Sequence, residues 1–214
     1  YRHIPYIIFN GDIAKKITKL GIELPKPILL PTILLPNEDG SLVATTDSTP
    51  IIRRLENEFT ERRIVPNDPA LAFINYLLED FGDEWVTKYM FHYRWYFKED
   101  ADVAGTILPL VDIGINTPNE MHAKYKEFVS KRQIDRLWVV GSNDDTANFI
   151  DLSYKRFLNL MEEHLLNSSF LLGTKPSSSD FSFYGQLTQL VGFDPTPRKI
   201  ASVSYTHLTL PTKA

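Results

Sequence analysis

The sequence predicts two fold classes in one chain, an α/β segment over residues 1–62 and an all-helical bundle over residues 68–200. Three observations predict it. In the first third, apolar runs of strand length flank a tight-turn sequence. The signal Asn67-Asp68-Pro69, with Asp68 as cap, separates that third from the rest. Beyond it, apolar residues recur at helical spacing.

The elements follow in order. Ile4-Pro5-Tyr6-Ile7-Ile8-Phe9 is a short apolar run and reads as a strand, and Gly11 and Gly21 punctuate the irregular segment after it. Ile28-Leu29-Leu30-Pro31-Thr32-Ile33-Leu34-Leu35 is a β-branched run interrupted by a proline, and reads as a second strand. Asn37-Glu38-Asp39-Gly40 is a tight turn by composition, and Leu42-Val43-Ala44-Thr45-Thr46 is the returning strand of a hairpin. Asp47-Ser48-Thr49-Pro50 opens a helix. Ser48 suits its N-cap, Pro50 falls in the first turn, and Ile51, Ile52, Leu55 and Phe59 share one face.

In the second part, residues 70–98 form one long aromatic-rich helix or a kinked pair, and residues 102–118 a loop with room for a helical turn. Helices follow over 120–138, 146–167 and 177–191. The second of these carries Ile150, Tyr154, Phe157, Leu158, Met161 and Leu165 as one stripe. Residues 203–214 are polar and β-prone without helical periodicity. They resemble the read-through of a vector or adapter, and are set aside as a non-native tail.

Composition narrows the function classes. A chain of 214 residues buries about 70% of its unfolded surface and needs no staples. The net charge is −4 with no basic stripe, which argues against nucleic acid or an anionic membrane as partner. There is no cysteine, so disulfides, thiolate metal sites and a cysteine nucleophile are excluded within the chain, and a cytoplasmic location is expected. No apolar run reaches membrane-spanning length. The chain starts at Tyr1 rather than Met, and reads as a processed product or a fragment.

Three patterns in this order resemble the glutathione transferase superfamily. Ile4-Pro5-Tyr6 resembles the start of the family's second strand. Leu30-Pro31-Thr32-Ile33-Leu34, then Thr46-Asp47-Ser48-Thr49-Pro50-Ile51-Ile52, resemble its third strand, opened by a cis-proline, and the acid–serine start of its third helix. Phe170-Leu171-Leu172-Gly173-Thr174-Lys175-Pro176-Ser177-Ser178-Ser179-Asp180-Phe181 is similar to its C-terminal signature, and Phe193-Asp194-Pro195-Thr196-Pro197 to the segment that follows. The likeness spans about residues 1–200. It implies a partial thioredoxin-like domain over 1–62, lacking the first strand and first helix, and a glutathione-transferase-type helical domain over 68–200. Tyr1-Arg2 resembles the end of the missing helix. The family's thiol-activating residue sits in that missing segment, so no catalytic residue is assigned.

The resemblance also implies a binding site. Ser48 would offer its hydroxyl and a helix N-terminus to the glutamyl carboxylate. Asp47 would take the glutamyl ammonium, and a cis peptide before Pro31 would turn the backbone of Leu30 toward the cysteinyl backbone. The plainer readings stand beside these: Ser48 as cap, Asp47 as a solvated turn residue, Pro31 as a trans proline on an edge strand. Ser177 and Asp180 form a structural capping box under either reading. The aromatic segment over 83–96 offers Tyr89, His92, Tyr93 and Tyr96 as walls for a small hydrophobic electrophile, or else as core packing with a dimer contact. No histidine pairs with another at i+4, so no metal is expected. No Gly-rich phosphate loop or Gly-x-Ser-x-Gly elbow is present.

The complete protein is therefore expected to conjugate glutathione to electrophiles, or to reduce with it, as a homodimer in detoxification. The chain by itself is expected to carry little or no transferase activity. The alternative is a non-catalytic binding or assembly module of the same fold, and a third reading is a helical interaction protein whose hairpin caps the bundle.

Overall fold

The computed structural model describes residues 1–9, 13–27 and 29–204. The chain forms two compact units, Tyr1–Val65 and Pro66–Ala214.

The first unit contains α1 (Ile13–Lys19), β1 (Thr32–Pro36), β2 (Leu42–Thr46) and α2 (Ser48–Glu58). The two strands pair antiparallel, in register from Thr32 opposite Thr46 to Pro36 opposite Leu42. Composition selects the turn between them. Gly40 sits at φ 80°, where a side chain is strained. The Asp39 carboxylate accepts from the Ser41 hydroxyl at 2.6 Å and the Ser41 N–H at 2.9 Å, which holds its pKa below the usual carboxylate range. Leu35 and Ile51 are the buried apolar residues of this hairpin–helix pair, and the Arg54 guanidinium ties α2 back to β1 through the Pro36 carbonyl.

Three expectations are corrected here. Residues 4–9 form no strand; Tyr6 and Ile7 are 80% and 86% exposed. An apolar run becomes a strand only where a neighbour completes its hydrogen bonds, and β1 and β2 complete only each other's. Residues 13–19 of the segment read as irregular form α1 instead. The expected strand over 28–35 shortens to begin at Thr32, and its first residue, Ile28, lies outside the described residues.

Glu56 holds the end of α2. Only 4% exposed, its carboxylate pairs with Arg2 and with Arg63 (3.2 Å), and accepts the N–H groups of Ile64 (3.2 Å) and Val65 (3.3 Å). Four groups, one of them from the start of the chain, thus meet on one buried carboxylate.

The second unit is all helical: α3 (Pro69–Asp80), a π-helical turn (Phe81–Val86), α4 (Thr87–Tyr96), α5 (Lys98–Ile107), α6 (Leu110–Ile113), α7 (Asn119–Ile134), a 3₁₀ turn (Leu137–Val140), α8 (Ala147–Leu165), α9 (Ser178–Gly192) and α10 (Pro195–Ser204). Asp68 caps α3 by accepting from the Leu71 N–H at 2.9 Å. The expected kink is the π-helical turn, a recognised interruption of an α-helix. It packs on α9 at Gly82, where an added Cβ would fall 2.2 Å from the Ser182 hydroxyl oxygen.

The expected loop over 102–118 is corrected to helix over most of its length. The reason is tertiary: Gly105 faces α7, and a Cβ there would fall 2.2 Å from the Ser130 hydroxyl oxygen. A glycine that reads locally as a helix breaker is required by a close helix crossing. The core gathers Tyr93, Tyr154, Leu158, Phe157, Phe183 and Leu190, and the Tyr93 and Tyr154 rings meet edge-on at 5.0 Å. α10 extends through Ser204, so the first two residues of the segment set aside as a tail are helical; the rest of that segment lies outside the described residues.

Candidate functional site

In the first unit the candidate residues converge on the junction of β1, β2 and α2. The register brings this about. Thr32 and Thr46 are the last paired residues of the ladder, so Pro31 and Asp47 are the next residues beyond it, and Leu30 and Ser48 the next again. The Leu30–Pro31 peptide is cis, as the resemblance implies; Lys26–Pro27 is cis as well. Leu30 is 88% exposed, and its backbone makes no hydrogen bond among the described residues.

The start of α2 differs from the expected capping. Asp47, not Ser48, is the N-cap: its carboxylate accepts from the Thr49 N–H at 3.1 Å, and its carbonyl from the Ile51 N–H at 3.4 Å. Asp47 adopts φ 77°, ψ 130°, a region that costs a non-glycine residue about 1–3 kcal/mol. A helix begins with four N–H groups that have no intrahelical partner. In α2 these are at residues 47–50, because the Ile51 N–H already bonds the Asp47 carbonyl. Within the helix itself, Thr49 is satisfied by the Asp47 carboxylate and Pro50 has no N–H to satisfy. That leaves Ser48, whose N–H and hydroxyl make no hydrogen bond among the described residues. The helix dipole adds partial positive charge at the same point. The junction therefore offers an anion two donors, a cation one exposed carboxylate, and a peptide the unbonded backbone of Leu30.

The aromatic segment in the second unit is built otherwise. Tyr89, His92 and Tyr93 are buried and Tyr96 is half-buried. Each side chain has a polar partner: Tyr89 the Ser153 hydroxyl (2.7 Å), His92 Nδ1 the Ser142 hydroxyl (2.7 Å), Tyr93 Asp151 (2.7 Å), Tyr96 Asp144 (2.9 Å); the buried His92 Nε2 has none among the described residues. The His92 and Tyr96 rings stack at 4.8 Å. Burial pushes the His92 pKa down to about 4, against the pull of the Asp151 carboxylate. Burial and the bond to Asp151 push the Tyr93 phenol well above its ordinary range, and the bond to Asp144 raises Tyr96. These are interior rings, the packing that the sequence left open as the second reading.

Ser177 and Asp180 form the expected reciprocal box at the start of α9. Asp180 accepts the Ser177 N–H (2.8 Å) and reaches back to the Leu171 N–H (2.8 Å), pinning the preceding loop. The buried serines that follow are met from α3: Asn75 donates to the Ser178 hydroxyl at 2.7 Å and accepts from the Ser179 N–H at 3.2 Å.

Sequence reading missed a buried ionic centre. Arg94 grips Asp194 with two bonds (2.8 and 2.9 Å) and Gln189 with a third (2.9 Å), beneath the Phe193 ring. Burial raises the pKa of Asp194, and the Arg94 bonds oppose it. Fully buried Asp100 accepts from the Thr196 N–H at 2.9 Å and so caps α10. The acid-and-proline spelling of Asp194-Pro195-Thr196-Pro197 was a visible helix-start signal; its partners, about a hundred residues upstream, were not.

Among the described residues no helix is long and apolar enough to cross a membrane, and no three His, Asp or Glu side chains gather to hold a metal ion. No family model matches the chain, and neither a curated protein nor a solved structure resembles it significantly.

Proposed function

We propose that this chain is the glutathione-binding portion of a glutathione-transferase-like protein. Its first unit is a partial thioredoxin-like domain, and its second the helical domain that goes with it. The observation that carries the reading is the ladder end: Thr32 opposite Thr46 sets the exposed Leu30 backbone and the uncommitted Ser48 donors on neighbouring strand ends. Glutathione has the matching chemistry. Its glutamyl carboxylate suits the Ser48 N–H and hydroxyl at the helix N-terminus. Its glutamyl ammonium suits the Asp47 carboxylate, and its cysteinyl peptide the Leu30 backbone as a short strand-like addition.

The strained conformation of Asp47 supports the same site, because such strain collects where a ligand is clamped. In this class the bound thiol ionises and attacks as thiolate; no residue of the chain is assigned that activating role. A small hydrophobic electrophile as co-substrate, a homodimer and a cytoplasmic location follow from the resemblance and belong to the proposal.

Isothermal titration calorimetry with reduced glutathione tests it. The chain is expected to bind at millimolar glutathione or below, and the double variant Asp47→Ala/Ser48→Ala to give no heat with its fold intact by circular dichroism. A wild-type chain silent toward glutathione, or a double variant that binds as well as wild type, defeats the reading.

A further inference from the structure

The segment before β1 is held by a side chain of the strand opposite. The Thr46 hydroxyl donates to the Leu29 carbonyl at 2.7 Å and lies 3.4 Å from the Pro31 carbonyl. The Thr32 hydroxyl donates to the same Leu29 carbonyl at 2.5 Å and reaches Thr46 Oγ1 at 3.4 Å. Leu30, between the two tethered carbonyls, is left exposed with its backbone uncommitted. Thr32 lies three residues from Leu29 on the same stretch of chain and can hold only a local turn. Thr46 belongs to β2 and immediately precedes Asp47. Beyond the end of the ladder, its hydroxyl adds a side-chain tie between the Leu30 side of the junction and the Asp47–Ser48 side.

We infer that Thr46 is a positioning residue of the glutathione site, fixing the Leu30 backbone relative to the start of α2 without touching the ligand. The inference rests on the glutathione reading above. Two magnitudes separate positioning from stability. The bond is solvent-exposed, and an exposed neutral hydrogen bond adds little net stability because water replaces it. Orientation is different: a backbone edge left to move must be ordered when the peptide docks, and that cost falls on affinity. Valine is the matching substitution, since it keeps the β-branched shape and strand propensity and removes only the hydroxyl.

The experiment is calorimetry of reduced glutathione against the full chain, its Thr46→Val variant and its Thr46→Ser variant, with thermal unfolding of each. Thr46→Val is expected to bind roughly fivefold more weakly, the equivalent of one ordinary hydrogen bond, with its unfolding midpoint unchanged. Thr46→Ser, which keeps the hydroxyl, is expected to restore wild-type affinity. Equal affinity of wild type and Thr46→Val overturns the role of Thr46 and leaves the glutathione site standing. A loss that serine does not restore, or one matched by a fall in unfolding midpoint, makes Thr46 structural and also overturns it. No binding by the wild-type chain overturns the site and this inference together.

Discussion

The junction of the first unit and the aromatic segment of the second are both rich in groups that could serve a ligand, yet they spend them differently. Tyr89, His92, Tyr93 and Tyr96 each have a polar partner within 2.9 Å, supplied by α8 or by the loop before it, and of their polar atoms the buried His92 Nε2 is the one left without a partner among the described residues. At the start of α2, among the described residues, Ser48 keeps both donors uncommitted and Leu30 its whole backbone. Residue type alone made the aromatic segment the more conspicuous candidate. Hydrogen-bond accounting reverses that order, because a ligand can be held only by groups the fold has not already used.

The sharpest way to break the comparison is through the committed side. Arg94 is 7% exposed and carries Asp194 with it into the interior. Arg94→Met is expected to cost about 3–5 kcal/mol, because Asp194 would remain buried without its partner. The double change Arg94→Met/Asp194→Leu should recover most of that, since an apolar pair needs no compensation. Urea unfolding of wild type and the two variants measures both. A single variant within about 1 kcal/mol of wild type would show that the second unit holds its buried charges less tightly than its geometry says.

How much was legible in the sequence divides along the same line. The Ser177–Asp180 box and the Asp68 cap were read correctly because both are made within three residues. The hairpin was legible because its turn chemistry and both strands are contiguous. The strand at 4–9, the loop at 102–118 and the hub at Glu56 were not. Each depends on what lies opposite: a missing ladder partner, Ser130 beneath Gly105, and Arg2 reaching across to Glu56. Of the candidate site, the four residues Leu30, Pro31, Asp47 and Ser48 were named in advance. Thr46, which ties them together, was visible only as another strand threonine.

A smaller effect comes from His92. Its ring is fully buried, and its pKa falls from 6.5 to about 4. Between those values the unfolded chain binds a proton that the folded chain refuses, so stability falls as pH drops through 6.5 and the loss is complete near 4. The full shift corresponds to about 3 kcal/mol. Unfolding midpoints from pH 7 to pH 4 should show it, and His92→Asn should flatten this part of the profile while keeping a polar partner for Ser142. A profile identical in both proteins would mean that His92 titrates normally and that the interior admits water there.

The smallest effect, and the one that tests the uncommitted side, is at Asp47. Its φ of 77° suits glycine, so Asp47→Gly relieves strain. Against that relief stand the bond to the Thr49 N–H at 3.1 Å, where glycine replaces a cap at a cost of only a few tenths of a kcal/mol, and the added freedom of glycine in the unfolded chain. The balance runs from about zero to a gain of about 2 kcal/mol. Affinity for glutathione should move the other way, because the carboxylate proposed to take the ammonium is gone. Stability and binding measured on this one variant therefore carry opposite expected signs. If Asp47→Gly binds glutathione unchanged, the Asp47 carboxylate has no part in the site. If it also unfolds more easily, the strained backbone is sustained by contacts of the carboxylate within the fold, and the junction resembles the aromatic segment after all.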